Sequence, residues 1–391
     1  MRSVTMKSVL WMCIACLYSN FLFAQNQTLT PRRVQKLPLI LKESSGLIVQ
    51  SPHLIWSHND GDNESMLYQM DTIGNILKKV LIKNQTNLDW EEICLDTQGH
   101  LYIGDFGNNN HTRQDLAIYK ILNFKDSDSN AIVTRIGFRY EDQMTFPPAP
   151  SQLYFDAEAM IAYSDSIYIF TKDFNTQPYT GATRIYAIPN RVGNHIAKLI
   201  HIFPTDNGWN FYGAVTGAAI SPDHKKAVLL TYGRLFVFSD FTGKEFWKGR
   251  VQKYNILPIL QREAITFVNH CEVYMSCESE SSNPAALFSL DLCQLESDTA
   301  SLKTKMVAIK ATSNPLDSAV IIEISDNFKT NNLKLQVADP AGKTIFRKII
   351  ALEERKIILP NDLFLTNGVY FYTIYSDEDD FNFLDKIIIQ K

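Results

Sequence analysis

The 391-residue chain has little cysteine and no excess of basic charge. Past Ala24 it also has no apolar run long enough to span a bilayer. Its formal net charge is −4, so it lacks the concentrated basic face that binding to a phosphate backbone requires. Nucleic acid is therefore not an expected partner, and no integral membrane segment is expected in the mature chain. There is no Walker loop, no dinucleotide fingerprint and no serine-nucleophile elbow. The glycines of Gly104-Asp105-Phe106-Gly107 lack the helix that phosphate binding needs behind them. Convincing amphipathic helices are missing from the body of the chain. Aromatic residues make up 12% of the composition, which suits strands.

The first residues follow the pattern of a secretory signal. Arg2 and Lys7 form a basic start, and Val9 to Ala24 is a mostly apolar run interrupted by Ser19 and Asn20. The expected cut is after Ala24, which makes residues 1–24 a signal peptide and Gln25 the new terminus. A lipoprotein cut before Cys16 is the alternative; the apolar run continuing past Cys16 speaks against it. Either way Cys94, Cys271, Cys277 and Cys293 remain, and an exported chain meets an oxidising compartment. If the segments around Glu278 to Pro284 pair as a hairpin, Cys271 and Cys293 fall opposite each other, as a disulfide needs. Two buried free thiols are the competing outcome. Cys271-x5-Cys277 without helpful histidines is not a zinc pattern.

A repeat runs through the body. Each copy has a small or acidic residue, then Gly, Ala or Glu, then an apolar strand and a second strand with a polar end. The copies begin at Glu43-Ser44-Ser45-Gly46-Leu47, Asp89-Trp90-Glu91-Glu92-Ile93, Asp156-Ala157-Glu158-Ala159-Met160, Thr216-Gly217-Ala218-Ala219-Ile220 and Arg262-Glu263-Ala264-Ile265. Turns such as Asp71-Thr72-Ile73-Gly74 and Asp96-Thr97-Gln98-Gly99 separate the strands. Four short strands per unit describe propeller blades. The expected fold class is all-β, a β-propeller over residues 25–295 followed by a small Ig-like β-sandwich. Five blades are counted. Six follow if the insert from Phe124 to Pro150 hides one. The last copy shows only three strands, and the strand-like segment Val34 to Leu41 is expected to supply its outer strand and close the ring.

These motifs resemble exported propellers of the SdiA-regulated type. The likeness rests on Glu43 to Leu47, Ser57-His58-Asn59-Asp60, Asn87-Leu88-Asp89-Trp90-Glu91 and Gly104-Asp105-Phe106-Gly107-Asn108-Asn109, and it spans about residues 35 to 295. It implies an exported propeller and no defined activity.

A polar linker, residues 296–306, leads to a second pattern over 307–391. Asn314-Pro315, Asp339-Pro340-Ala341-Gly342-Lys343, Gly368-Val369-Tyr370 and the closing Lys386-Ile387-Ile388-Ile389-Gln390-Lys391 occur in order. This set resembles the type IX secretion sorting domain. The resemblance implies the type IX machinery as a partner, outer-membrane translocation, and then loss of the tail with release or surface attachment. An ordinary Ig-like stalk domain is the alternative.

In a propeller the first strand of each blade lines the axis, so repeat-equivalent residues converge there. Glu91, Glu158 and Glu263 share one repeat position. Glu43, Asp89 and Asp156 lie one alternation earlier. A second ring comes from strand ends: Asn59, Asp60, Asp105, Asn108, Asn109, Asp173 and Glu278, with Lys172 in its neighbourhood and His58 in the loop Ser57-His58-Asn59-Asp60-Gly61-Asp62 as the best-placed histidine. Carboxylates and amides converging this way suit Ca2+ as a cofactor, with a subset of Glu91, Asn108, Glu158, Asp173 and Glu263 as ligands. Crowded carboxylates also raise one another's pKa, which favours acid–base work. The alternative for each of them is a hydrogen bond to the backbone of the next blade. Arg113, Lys172, Arg184, Arg234 and Arg262 lie nearby, either to bind an anionic ligand or to pair with the acids.

Three functions stay open on this reading. One is capture of a glycan, peptide or small ester at the axial face. Another is a calcium-assisted esterase, lactonase or phosphoesterase in the same place. The last is a structural or adhesive surface protein, for which the axial channel is expected to be plugged by side chains.

Overall fold

The computed structural model describes residues 27–124, 130–206, 210–280, 283–298, 309–314, 318–324, 333–339, 343–351, 354, 356–376 and 382–389. Residues 1–26, with the expected signal peptide, most of the linker and residues 390–391 lie outside these. Among the described residues no helix is long and apolar enough to cross a membrane.

The body is five four-stranded blades. Blade 1 runs outward through Ser44–Ser51, Leu54–Asn59, Met66–Asp71 and Ile76–Ile82. Blade 2 is Trp90–Leu95, Leu101–Asp105, Ala117–Ile121 and Thr134–Tyr140. Blade 3 is Asp156–Tyr163, Ser166–Lys172, Ala182–Pro189 and Gly193–Pro204. Blade 4 is Val215–Ile220, Ala227–Thr231, Arg234–Ser239 and Arg250–Ile256. Blade 5 takes Arg262–Phe267, Glu272–Cys277 and Ala286–Asp291 from its own repeat. Its outer strand is Arg32–Lys36, which pairs antiparallel with Ala286–Asp291 and closes the ring. The closing strand therefore lies slightly earlier than expected, because Leu39–Leu41 is a short 3-10 turn. Gln27–Leu29 adds a further strand, parallel, to the edge of blade 4.

Among its described residues the insert from Phe124 to Pro150 holds no sixth blade. Its Thr134–Tyr140 is the outer strand of blade 2, and Asn130–Ala131 pairs with the edge of blade 1. Thr134–Tyr140 also pairs parallel with Gly193–Pro204, which fuses blades 2 and 3 into one eight-stranded sheet.

The ring closes because the five inner strands are neighbours in cyclic order. Each of the five seams has its own apolar core. Trp56, Leu67, Trp90 and Ile103 fill the seam of blades 1 and 2. Tyr102, Phe155 and Tyr186 fill the next. Phe170, Phe236 and Phe238 lie between blades 3 and 4. Leu230, Ile256 and Met275 join blades 4 and 5, and Leu47, Ile55 and Leu287 join blades 5 and 1. A sheet face buried on both sides reads as a continuous apolar run, which is why the second strands of the blades do so. The predicted Asp-x-x-Gly turns form as such. Asp71 Oδ1 accepts from the N–H groups of Ile73 and Asn75, and Gly74 takes the positive φ of +96° that the turn demands.

The tail is a separate sandwich. Ile309–Asn314, Ser318–Ile324 and Lys356–Leu359 form one sheet; Thr344–Ile350, Leu333–Ala338, Gly368–Ser376 and Asn382–Ile389 form the other. Ile322, Leu335, Val337, Leu359 and Tyr372 fill the space between them.

Cys271 and Cys293 are bonded, with Cα atoms 5.1 Å apart. Cys293 sits in the short helix Leu292–Asp298, so the bond ties that helix to the turn before Glu272–Cys277. Cys94 and Cys277 are free. The bond closes a separation of 22 residues, for which lost chain entropy in the unfolded state corresponds to roughly 3 kcal/mol. Replacing both Cys271 and Cys293 with Ser is expected to lower the unfolding free energy by about that amount. Guanidinium unfolding of the double variant against the wild type measures it; equal midpoints would show that the bond does not form.

Candidate functional site

The first strand of every blade carries a β-bulge at the same place. Pairing skips Glu91 between Trp90 and Glu92, Glu158 between Ala157 and Ala159, and Thr216 between Val215 and Gly217. It skips Glu263 between Arg262 and Ala264, and both Ser45 and Gly46 between Ser44 and Leu47. A bulge turns the unpaired residue out of strict alternation and re-aims its side chain. Repeated around the axis, it delivers Glu91, Glu158 and Glu263 to one end of the channel. Asp60, Asp89, Asp156, Glu43 and Glu278 gather around them, and their mutual electrostatic influence follows from this closeness.

The cluster has few cations. Lys172 is buried and forms ion pairs with Glu158 and, at 3.7 Å, with Asp156. Burial works against its ammonium, but Glu158 and Asp156 outweigh that and hold its pKa well above the ordinary value. Tyr232 donates from its hydroxyl to Glu263 Oε1 at 3.0 Å. Gln261 Nε2 donates to Glu278 Oε2 at 2.6 Å. Burial pushes the Glu263 carboxyl up to about 7, with Lys172 opposing and Asp60 adding. Burial and then Glu263 push Glu278 up to about 9. Burial and the charge of Asp60 push Asp89 up to about 7.

Other expected site residues serve the framework. Asn108 donates its backbone N–H to Asp156 at 2.6 Å and its side-chain amide to the Phe155 carbonyl, and it accepts from Arg113 N–H. Its hydrogen bonds thus tie the loop after Asp105 to blade 3. Asp105 accepts from Arg113, from the Tyr119 hydroxyl and from Asp89 N–H. Asp173 is bound by Thr180 through backbone and hydroxyl. Asn59 bonds Glu43 N–H and the Ile40 carbonyl. Asn109 is exposed and takes no part. Glu43 sits at the rim, half-buried, and its pKa is lowered by Asn63, which donates to it at 2.8 Å.

His58 is not a loop histidine. It lies inside Leu54–Asn59, fully buried, with Nδ1 against the Asn59 carbonyl at 2.8 Å and Nε2 facing Gly46. Burial holds its ring down at about 4, so it is a neutral core group.

The basic residues divide similarly. Arg113 pairs with Asp105 and Asp115, and Arg234 with Asp206. Arg184 lies on the Tyr154 ring at 3.1 Å. Arg262 is fully buried near Phe288, and burial lowers its pKa to about 10.

Glu92 escaped the sequence reading. Strict alternation points it away from the axis, whereas the bulge turns it inward beside Glu91. Its counterparts in the other blades are Gly46, Ala159, Gly217 and Ala264, which leave room on the axis for one long side chain. Glu92 is 1% exposed. It accepts from Ile93 N–H at 3.0 Å and, across the axis, from Ala218 N–H of blade 4 at 3.3 Å. Burial holds its carboxyl well above the ordinary range. Beyond it, the far halves of the inner strands line a cavity of about 270 Å³ walled by Leu47, Val49, Ile93, Met160, Ile220 and Phe267. The signal was visible as the run of two acids in the second copy.

An acid with a raised folded-state pKa keeps its proton to higher pH in the folded chain than in the unfolded one. Its contribution is full below the unfolded pKa and is lost as pH rises through the folded value. For Glu263 and Glu278 that window runs from about pH 4.5 to 9. Glu278→Gln is therefore expected to gain stability relative to the wild type between pH 5 and pH 9. Urea unfolding at both pH values reads this directly, and parallel pH profiles would contradict it.

The comparisons with known proteins bear on the two parts unequally. Residues 313–390 match the secretion system C-terminal sorting domain. A search of the curated proteins finds no match. Among solved structures, the chain is similar to PorZ of Porphyromonas gingivalis, described as an essential bacterial surface component of the type-IX secretion system. The identity is 10%, the TM-score 0.29, and the match covers 89% of this chain and 45% of PorZ, so the chain spans less than half of PorZ's length. A PQQ-bound aldose sugar dehydrogenase of Streptomyces coelicolor matches at 8% identity and TM-score 0.40, over 66% of this chain and 96% of that one. A putative gluconolactonase matches at 10% and 0.38, over 64% and 74%. The tail of this chain is thus a type IX secretion sorting domain, which implies export to the cell surface or beyond, and what it exports is a five-bladed propeller.

Proposed function

We propose that the protein is a type IX-exported surface propeller that captures a ligand at its acidic axial face. The observation that carries this reading is the five-fold bulge, which gathers Glu91, Glu158 and Glu263 at one end of the channel, where Lys172 pairs with Glu158. An excess of carboxylates disfavours an anionic ligand. It suits hydroxyl and ammonium donors, so a glycan or an amine-bearing peptide is the fitting class. Closure of the channel midway by Glu92 makes the face a dead-end mouth rather than a pore. The likeness of residues 35–295 to SdiA-regulated propellers agrees with this reading without adding an activity.

A second reading, calcium-assisted hydrolysis of an ester, lactone or phosphoester, draws support from one arrangement. Oxygens of Asp60, Asp89 and Glu91 lie close together beside the Lys172–Glu158 pair. A bound cation there would polarise a carbonyl or phosphoryl oxygen, with a neighbouring carboxylate as base.

The test of the first reading uses the full chain, in buffer containing EDTA, on arrays of glycans and basic peptides. The wild type is expected to bind a defined subset. Glu158→Gln and Glu263→Gln should each weaken capture about tenfold, since a hydrogen bond to a charged group contributes roughly 1.5–3 kcal/mol. Capture indifferent to both substitutions, or none at all, would remove the reading.

A further inference from the structure

We infer that Asp60, Asp89 and Glu91 form a divalent-cation site for Ca2+ at the seam of blades 1 and 2. This rests on the acidic face being the functional surface, but it concerns a different part of that face from Glu158 and Glu263.

The three side chains arrive from two blades. Asp60 follows the strand Leu54–Asn59 of blade 1, and its position is set by a backbone hydrogen bond to the Glu43 carbonyl at 2.9 Å. Asp89 and Glu91 flank Trp90 at the start of blade 2. Asn87 sews the two together. Its side-chain amide donates to the carbonyls of Asn59 at 3.1 Å and Asp60 at 2.8 Å, and its Oδ1 accepts from Trp90 N–H. The carboxylate positions are therefore fixed by backbone bonds and do not depend on a ligand.

One oxygen from each carboxylate lies within 4.8 Å of the others. One ion with Ca–O bonds of roughly 2.4 Å bridges any pair at that distance, and the point equidistant from all three lies at most about 2.8 Å from each, a few tenths of an ångström beyond the usual Ca–O range. Mg2+, with bonds of roughly 2.0–2.1 Å in a strict octahedron, fits this spread less well.

Three anions at this distance repel one another, and something must offset that. Glu91 is 4% exposed. Among the described residues its carboxylate takes part in no hydrogen bond or ion pair, although it is aimed into the cluster. Lys172 is occupied by Glu158 and Asp156, and Arg113 by Asp105 and Asp115. Asp105 and Glu43 have donors, and Asp173 is bonded by Thr180 through Oδ2 while its Oδ1 is buried without a partner. A buried carboxylate without a donor is the costly exception that a cation resolves.

Two glycines show that the space around these oxygens is shaped. A Cβ on Gly107 would lie 2.2 Å from Glu91 Oε1 and 2.6 Å from Asp89 Oδ2. A Cβ on Gly61 would lie 2.6 Å from Asp89 Oδ1. The loops on both sides thus press bare backbone against the carboxylates, holding them together where charge alone would drive them apart.

The full chain, stripped with EDTA and dialysed, should be titrated with CaCl2 by calorimetry, with MgCl2 as comparator. One Ca2+ per chain is expected, bound more tightly than Mg2+, together with a rise in melting temperature. Asp89→Asn and Glu91→Gln should each weaken Ca2+ binding by about tenfold or more, because affinity at such sites follows the count of charged ligands. Both substitutions relieve repulsion, so both variants should fold. Gly107→Ala keeps every carboxylate and should also weaken binding. Glu141→Gln, at a partly exposed carboxylate paired with Lys198 away from the axis, should leave it unchanged. Absence of heat and of any melting shift up to about 10 mM, above the weakest extracellular calcium modules, would overturn the inference. So would binding that survives Asp89→Asn and Glu91→Gln. Because ligand capture is measured in EDTA, its failure and the failure of this site are read separately.

Discussion

The β-bulge one residue into each inner strand governs the rest of the axial architecture. A regular strand presents alternate residues to one face, so a ring of regular strands would send every second residue to the axis. Here pairing skips the same position in all five blades, and two consecutive residues reach the channel. The outer of the two is Ser45, Glu91, Glu158, Thr216 or Glu263, and it makes the mouth. The inner is Gly46, Glu92, Ala159, Gly217 or Ala264, and it makes the floor. Four small residues and one glutamate at that level let Glu92 reach Ala218 N–H on blade 4. The bulge therefore builds the mouth and closes the channel with the same irregularity, and blade 2 alone places an acid at both levels.

Concentrating carboxylates in this way opposes folding. Two like charges 4 Å apart repel by about 4 kcal/mol at an effective dielectric of 20, and the mouth holds several such pairs. The protein answers locally. Glu158 and Asp156 share the Lys172 ammonium, and Glu263 takes the Tyr232 hydroxyl. Asp105 takes Arg113 and Tyr119, and Glu278 rises to about 9 under burial and the charge of Glu263. Asp89 and Glu91 receive none of these partners. Groups left in a costly arrangement while their neighbours are satisfied mark a place where the chain gives up stability for something other than folding. The mouth is thus two regions: a satisfied side at blades 3 and 5, and an unsatisfied side at the seam of blades 1 and 2.

Much of this was legible in the residues, and the misses share one cause. Repeat spacing showed the blades and the acidic ring positions, because turn chemistry and strand length are local properties, and it left the pairing of Cys271 with Cys293 as one of two outcomes. The closing role of the segment before Glu43 was legible because blade 5 lacked a strand. Glu92 was missed because alternation is a local rule, and the bulge that breaks it leaves no residue signature except small side chains at the equivalent positions. His58 was misplaced for a related reason. A polar tetrapeptide reads as a loop, whereas Ser57, His58 and Asn59 are the buried end of a strand, with the His58 ring edge-on to Trp90. Asn108 and Asp105 have the right chemistry for a site, but their hydrogen bonds are spent on Asp156, Phe155, Arg113 and Tyr119. Such allocation depends on side-chain positions that spacing does not encode.

The sorting domain meets the propeller at the same end as the mouth, but across the axis from the unsatisfied carboxylates. Phe371 stacks on Tyr212 with ring centroids 5.7 Å apart, and Ala338 joins the same apolar contact. Tyr212 lies just ahead of Val215–Ile220, the inner strand of blade 4. Its neighbour Phe211 stacks on Tyr232, the residue that donates to Glu263. Contact thus runs from the tail through two aromatic pairs to the satisfied side of the mouth. Asp60, Asp89 and Glu91, at the seam of blades 1 and 2, lie outside that path. Occupation of the carboxylate cluster and docking of the tail are therefore compatible. The far cavity, sealed off by Glu92, is reached by neither. The axial end of the propeller consequently carries two separable contacts, one to the tail through aromatic rings and one to solvent through buried acids.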